Sequence, residues 1–303
     1  MFRHPEFPEY ALLDSGGGEK LERFGALVLR RPDPQALWRP HRSSAEWERA
    51  DLSFERDPES GGKRGSWRAR GSNPLARAPA PRWSMGFGGV RFWIEPTPFK
   101  HVGLFPEQAA NWDFLQRAAP RLGTEQPRLL NLFGYTGVSS LVALRAGFAV
   151  THVDASKTSL SWFGENQKES GLSAAPIRLV LDDALAFARR EVRRKARYAG
   201  ILVDPPHYGR GPKGEVWQFE EHIAPLMEAC RELLDQRAFL VLSTYAIGFS
   251  PLAFSNLLAE FEGGRAVADE LALPEERSAG PARFLPAGFC ARFVRGFELD
   301  QEP

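Results

Sequence analysis

Beyond Pro127 the chain alternates short apolar runs with helix-length segments, and no other feature constrains its fold as strongly. "RLLNLF" (128–133), "AVTHVD" (149–154), "IRLVLDD" (177–183), "YAGILVDPP" (198–206) and "RAFLVLSTY" (237–245) read as buried strands. Helical stretches separate and follow them. They run from about Gly137 to Ala146, through Trp162 and Phe163, over "ALAFARREVRRKA", around Ile223, Leu226 and Leu233, and over "PLAFSNLLAEF". Strands joined by crossovers of this length predict a parallel sheet with helices on both faces. The pattern ends differently: "RAVADELALP" and "FCARFVRGFEL" have no helix between them, so they are predicted to pair antiparallel. The expected class is α/β, with a doubly wound, mostly parallel seven-stranded Rossmann-like sheet that ends in an antiparallel strand pair.

The first hundred residues follow another rhythm. "DSGGGEKLERFGALVLRRPDP" alternates around Phe24, Leu27 and Leu29, punctuated by glycine and proline. Within it "GGGEK" lacks the spacing of a phosphate loop and the Ser/Thr after Lys20, so it reads as a hairpin turn. "RDPESGGKRGS" reads as a low-complexity link, and "WSMGFGGVRFWIEP" as two short strands around Gly88-Gly89. From about Phe105, "FPEQAANWDFLQRAA" takes helical spacing, with Ala109, Trp112 and Leu115 to one side. A chain of 303 residues exceeds the usual single domain. The expected division is a small β-rich N-terminal region, residues 1–96, and a main domain, residues 97–303.

Charge narrows the partners. The formal net charge is only +1, yet no acidic residue occurs from Gly61 to Ile94. That stretch carries Lys63, Arg64, Arg68, Arg70, Arg77, Arg82 and Arg91 among Trp67, Trp83, Phe87, Phe92 and Trp93. Basic groups pair with phosphates and aromatic faces stack on unpaired bases, so the mixture suits RNA or single-stranded DNA. It equally suits a solvated loop and a hairpin whose aromatics fill a local core. No apolar run is long enough for a membrane helix, and the N-terminus lacks the apolar core of a signal peptide. Two cysteines, Cys230 and Cys290, make neither a disulfide framework nor a zinc site alone, so no metal is expected. A soluble cytoplasmic protein is the simplest expectation.

Ligands of a doubly wound sheet bind outside the carboxyl ends of its strands. Acidic residues stand at three of those ends: Asp154, Asp183 with Asp182, and Asp204. The first loop, "NLFGYTGVSS", brings Gly134 and Gly137 to the start of a helix, where backbone approaches a ligand closely. Asp154 follows at the spacing of a ribose-binding carboxylate, although it also reads as a cap for the helix beginning near Ser156. After the fourth strand, Gly209, Gly211 and Gly214 spell G-x-G-x-x-G. That motif carries meaning only between a first strand and its helix, and Pro212 interrupts it, so dinucleotide binding is not expected there. Asp204-Pro205-Pro206 instead reads as a rigid wall of acceptors beside which an amine is held, with Tyr208 facing a planar ring and "GRGPKG" a mobile basic flap. The plainer alternative is a strand-ending turn.

Together these residues resemble class I S-adenosylmethionine-dependent methyltransferases. "NLFGYTG", "VDASK", "DDAL", "DPPHYGRG" and "GLFPEQAANW" are similar to the branch that includes bacterial large-subunit ribosomal RNA cytosine and guanine methyltransferases, over roughly residues 97 to 296. The resemblance implies S-adenosylmethionine as cofactor. It implies that Asn131, Phe133, Gly134, Tyr135, Thr136 and Gly137 hold the methionine part, with Gln108 nearby. By the same resemblance Asp154, with Ala155 and Ser156, takes the ribose hydroxyls. Asp183, with Asp182 and Ala184, takes the adenine, and Asp204, Pro205, Pro206 and Tyr208 face the acceptor.

The chain departs from the cytosine-C5 members. They carry a cysteine in the strand-five segment, which here reads "LSTYAIG", and C5 methylation needs such a nucleophile. Ala109 stands where relatives often have arginine, and residues 1–96 do not clearly match the branch's RNA-binding domain. The expected activity is methyl transfer to an RNA base, at nitrogen rather than at cytosine C5, through the basic and aromatic segment containing Arg64, Trp67, Arg68, Arg70, Arg82 and Trp83. The alternatives are a methyltransferase for protein or small molecules and, further off, an NAD-dependent oxidoreductase.

Overall fold

The computed structural model describes residues 1–61, 64–245, 248–276 and 283–298. Period-two alternation in the first third builds a five-stranded sheet. β1 (Tyr10–Gly16), β2 (Glu19–Phe24) and β3 (Leu27–Pro32) form an antiparallel meander. One helical turn, α1 (Ser44–Trp47), carries the chain back so that β4 (Leu52–Arg56) joins β3 in parallel. A capping box starts that turn: Ser43 Oγ accepts the Glu46 N–H, and the Glu46 carboxylate accepts the Ser43 N–H at 2.9 Å. β5 (Gly65–Ala69) then pairs antiparallel with β4. The expected link "RDPESGGKRGS" is thus largely the turn of a hairpin, with Lys63 outside the described residues.

β6 (Trp83–Phe87) and β7 (Val90–Ile94) form the hairpin expected around Gly88-Gly89. Its aromatics correct one expectation. Trp83 is 6% exposed with its indole N–H on the Phe24 carbonyl at 2.9 Å, and Phe92 is fully buried. These rings face the protein because alternate residues of the hairpin pack on its core, and they offer no stacking face.

The main sheet follows α2 (Ala109–Ala118). In chain order come β8 (Arg128–Leu132), α3 (Val138–Arg145), β9 (Ala149–Asp154), α4 (Lys157–Glu169), β10 (Ile177–Leu181), α5 (Ala184–Arg193) and β11 (Tyr198–Val203). The ribbon β12 (Tyr208–Arg210) and β13 (Val216–Gln218) precedes α6 (Phe219–Leu233), β14 (Leu234–Thr244), α7 (Pro251–Ala259), β15 (Gly264–Pro274) and β16 (Phe284–Arg295). The seven strands lie in the order β10-β9-β8-β11-β14-β16-β15. The first five are parallel, and β16 inserts antiparallel between β14 and β15. Every residue of β11 is buried, as a central parallel strand covered on both faces requires. Among the described residues no helix is long and apolar enough to cross a membrane.

One apolar cluster runs from Tyr10, Phe24 and Leu29 through Phe92 and Phe114 to Leu129 and Phe239 of the main sheet. Phe239 is its pivot. It meets Phe114 edge-on at 5.2 Å and Phe148 at 6.1 Å, and a Cβ at Gly200 would lie 2.5 Å from its ring. Replacing Phe239 with alanine is expected to cost about 3–5 kcal/mol in urea unfolding. Polar contacts tie the N-terminal sheet to the last strands. Arg283 donates to Asp14 at 2.9 Å and to Glu275 at 2.7 Å, Ser15 Oγ donates to Glu275 at 2.5 Å, and Leu12 bridges Glu275 through the backbone.

Candidate active site

The carboxyl ends of β8, β9, β10, β11 and β14 open onto a cavity of about 390 Å³, a size that holds a small molecule. The loop after β8 forms its floor under strain. Phe133 and Tyr135 adopt left-handed backbone, with φ of 59° and 52°, which costs about 1–2 kcal/mol per residue. Neighbouring groups hold the loop there. The Gly134 N–H donates to the Val153 carbonyl at 3.0 Å and the Tyr135 N–H to Asp154 Oδ2 at 2.8 Å. Thr136 Oγ1 donates to the Gly103 carbonyl at 2.7 Å, and Asn166 Nδ2 to the Thr136 carbonyl at 2.9 Å. Gly137, at φ 83°, starts α3 where a Cβ would fall 1.9 Å from the Phe163 ring, so only glycine fits. Asn131 is buried beneath, donating to Ser140 Oγ at 2.9 Å.

Asp154 ends β9, and its other oxygen accepts the Ser156 N–H at 2.8 Å, while Ser156 itself caps α4. Both carboxylate oxygens are thereby fixed, each with a lone pair left for a ligand hydroxyl. Asp182 pairs with Arg190 and accepts the Asp183 N–H, while Asp183 Oδ1 caps α5 through the Ala186 N–H at 2.8 Å. Asn131, the loop from Phe133 to Gly137, Asp154, Ala155, Ser156, Asp182, Asp183, Ala184 and Gln108 all line the one cavity, as do Asp204, Pro205 and Pro206.

Tyr208 does not. On β12 it pairs with Gln218 and faces outward, 52% exposed, whereas the Gly209–Trp217 pair faces inward. Strand alternation sends neighbours to opposite faces, which removes Tyr208 from the role expected of it. The expected flap also folds as this ribbon, so the G-x-G-x-x-G glycines belong to a hairpin. Trp217 instead lines the cavity, edge-on to Phe133 at 4.8 Å, and its indole N–H donates to the Pro206 carbonyl at 2.7 Å. One lone pair of that carbonyl is thereby taken.

Asp204 stands apart chemically. Oδ1 is buried with no protein partner, and Oδ2 accepts the Gln108 amide at 3.2 Å. Gln108 is aimed by a buried relay. Arg292 donates to Asn111 Oδ1 at 2.9 Å, and Asn111 Nδ2 donates to Gln108 Oε1 at 2.8 Å, which turns the Gln108 amino group toward Asp204. Burial, and secondarily the nearby Glu107, pushes Asp204 up to about 7. Burial raises Glu107 itself, whose carboxylate accepts the Tyr245 hydroxyl. Tyr245, like Arg292 and Asn111, lies outside the expected site residues. Its place just past β14 at the same sheet edge was the available signal; Asn111 lies in the "GLFPEQAANW" motif, and Arg292 had none.

Such a set suits a ligand with a hydroxyl pair, a flat ring and a polar chain, beside a second molecule that donates to Asp204. No family model matches the chain. Ribosomal RNA large subunit methyltransferase K/L of Methylococcus capsulatus is 30% identical over 159 residues, or 52% of this chain. The match spans about a fifth, 21%, of that relative's own length. A methyltransferase solved with S-adenosylhomocysteine shares the fold, with a TM-score of 0.70 at 18% identity over 96% of this chain and 76% of that one. The S-adenosylmethionine-dependent methyltransferase of Agrobacterium tumefaciens is 41% identical with a TM-score of 0.88, covering 95% of this chain and 91% of that one. The chain belongs to the S-adenosylmethionine-dependent methyltransferases.

Proposed function

We propose that the protein methylates a nitrogen of an RNA base, within ribosomal RNA. The observation that carries this reading is the buried, partnerless Oδ1 of Asp204 at the cavity wall. When bound, S-adenosylmethionine supplies a methyl group on a sulfonium centre. The loop from Phe133 to Gly137 with Asn131 and Gln108 holds its methionine part, Asp154 with Ala155 and Ser156 its ribose, and Asp183 with Asp182 and Ala184 its adenine. Asp204, beside Pro205 and Pro206, accepts hydrogen bonds from an acceptor amine and so favours the charge that builds on nitrogen. Cytosine C5 is disfavoured because both cysteines are buried away from the cavity, Cys230 in α6 and Cys290 in β16. Residues 1–96 contact the acceptor, and 97–303 hold the cofactor and carry Asp204. RNA is supported by the name of the ribosomal relatives.

The basic segment lends RNA less support than its composition suggested. Arg68 and Arg70 pair with Glu55 at 2.5 and 2.8 Å, Arg82 pairs with Glu165 and lies over Trp93, and Arg64 lies over Phe99. Trp67 packs on Phe54 and donates to the Thr97 carbonyl. This neutralisation favours the second reading, a protein or small-molecule acceptor. Labelled methyl transfer into RNA from a strain lacking the gene separates the two. Label lost to ribonuclease and located on a base nitrogen supports the proposal, and label lost only to protease overturns it.

A pH dependence follows as well. Asp204 accepts hydrogen bonds fully only as the carboxylate, so kcat/KM rises with pH through about 7 and falls about tenfold per unit below it. A flat profile across that range removes Asp204 from the chemistry.

A further inference from the structure

The cofactor cavity does not end at Asp204. A second cavity of about 580 Å³ opens beside it, and the two share His101, Leu104, Phe105, Pro206 and Tyr245. Its other walls come from opposite ends of the chain: β2, β3 and the turn after them, and the segment from Pro286 to Phe289 in β16. Three cations, Lys20, Arg31 and Lys100, line this second cavity alone, while Asp204 lines the first alone.

These cations are built in. Arg31 is 5% exposed and grips Glu22 with two bonds of 2.8 and 2.9 Å, while its third nitrogen donates to the Lys100 carbonyl at 3.2 Å. Lys20 lies 3.6 Å from Glu22 and 3.3 Å from Asp33. Lys100 donates to the Pro32 carbonyl at 3.4 Å and makes no ion pair among the described residues. Its backbone is left-handed, φ 65°, a strained placement for a lysine. On their own wall three positive groups thus meet two carboxylates, Glu22 and Asp33, while Glu107 and Glu270 line other parts of the cavity. The repulsion among the three cations is felt locally. Burial and then Lys20 and Arg31 hold the Lys100 ammonium below its usual range, and burial followed by Arg31, Lys100 and Lys20 pushes His101 down to about 4. An anion relieves that field; a neutral molecule does not.

The joined cavities are therefore polarised, with the Asp204 carboxylate in the first and Lys20, Arg31 and Lys100 gathered on the N-terminal wall of the second. We propose that the second cavity takes the acceptor, with Lys20, Arg31 and Lys100 holding a phosphate of a nucleotide whose base reaches Asp204. The assignment deepens the reading of an RNA-base acceptor and rests on it. It also moves nucleic-acid recognition away from the segment 61–94.

The full chain saturated with S-adenosylhomocysteine is titrated with each nucleoside 5′-monophosphate and with the matched nucleoside. At least one monophosphate is expected to bind about tenfold tighter than its nucleoside, since charge-assisted bonds are the strong ones. The ratio is expected to fall below about threefold in Lys100→Gln and in Lys20→Gln, with affinity for S-adenosylhomocysteine unchanged as the folding control. Arg31 is left intact because its loss strands Glu22. A ratio near one for all four pairs, or a ratio that survives both substitutions, overturns the assignment. Methyl transfer to RNA, assayed on the same preparations, keeps the two proposals separate. Methylated RNA with no phosphate preference sinks only the phosphate subsite. A phosphate preference without RNA methylation keeps the subsite and points to a free phosphorylated acceptor.

Discussion

Asp204→Asn is expected to lower kcat by about 10²–10³-fold while leaving the dissociation constant of S-adenosylhomocysteine within about twofold. The size of the loss comes from the relay behind the residue. Gln108 presents its amino group to Oδ2, so the asparagine carbonyl takes that place and the new NH₂ occupies the position of Oδ1. A donor then faces an acceptor amine that is itself a donor. Charge and polarity are both wrong, at a site where water does not compete. Single-turnover kinetics with saturating cofactor measures the step directly. A parallel loss of S-adenosylhomocysteine binding contradicts the separation of roles, and an unchanged kcat removes Asp204 from the reaction.

The second large effect belongs to Asp154. Its alanine variant is expected to weaken S-adenosylhomocysteine about 10²-fold or more, because hydrogen bonds to a charged group contribute about 1.5–3 kcal/mol each and two ribose hydroxyls are at stake. The same carboxylate anchors the Tyr135 and Ser156 N–H groups at 2.8 Å, so its removal also frees a loop held in left-handed backbone. Calorimetry gives the constant. A change under about fivefold means that the carboxylate serves only as a brace for the loop. Turnover at saturating cofactor separates the cases further, since Asp154 stands away from the reacting atoms and its loss raises KM more than it lowers kcat.

Most of the lining of the first cavity was legible in the sequence because it depends on local order. Strand ends place Asp154, Asp183 and Asp204 along one edge whatever the remaining packing, and the glycines of "NLFGYTG" mark a loop that no other residue type can follow. The acceptor side depends on contacts that spacing cannot report. Trp217 replaced Tyr208 because a three-residue strand paired Gly209 with Trp217, a register invisible in "GRGPKGEVW". Arg292 orients Gln108 through Asn111 across more than half the chain. The segment 61–94 misled in the same way: its arginines met Glu55 and Glu165, which lie outside the stretch whose lack of acids drew attention to it.

The ties between Asp14, Ser15, Glu275 and Arg283 bear on how the molecule is made. Asp14 and the Ser15 carbonyl already accept from His41, Arg42, Trp47 and Trp38, but their bonds to Arg283, 269 and 268 residues further on, wait until that residue has been synthesised. The walls of the second cavity, drawn from Lys20 at one end and Phe289 at the other, share that wait. Domains otherwise tend to fold as units in the order of their synthesis. Here the loops between residues 131 and 184 line the first cavity together with Gln108, Asp204 and Tyr245, whereas the second cavity is complete only once the segment from Pro286 to Phe289 is in place.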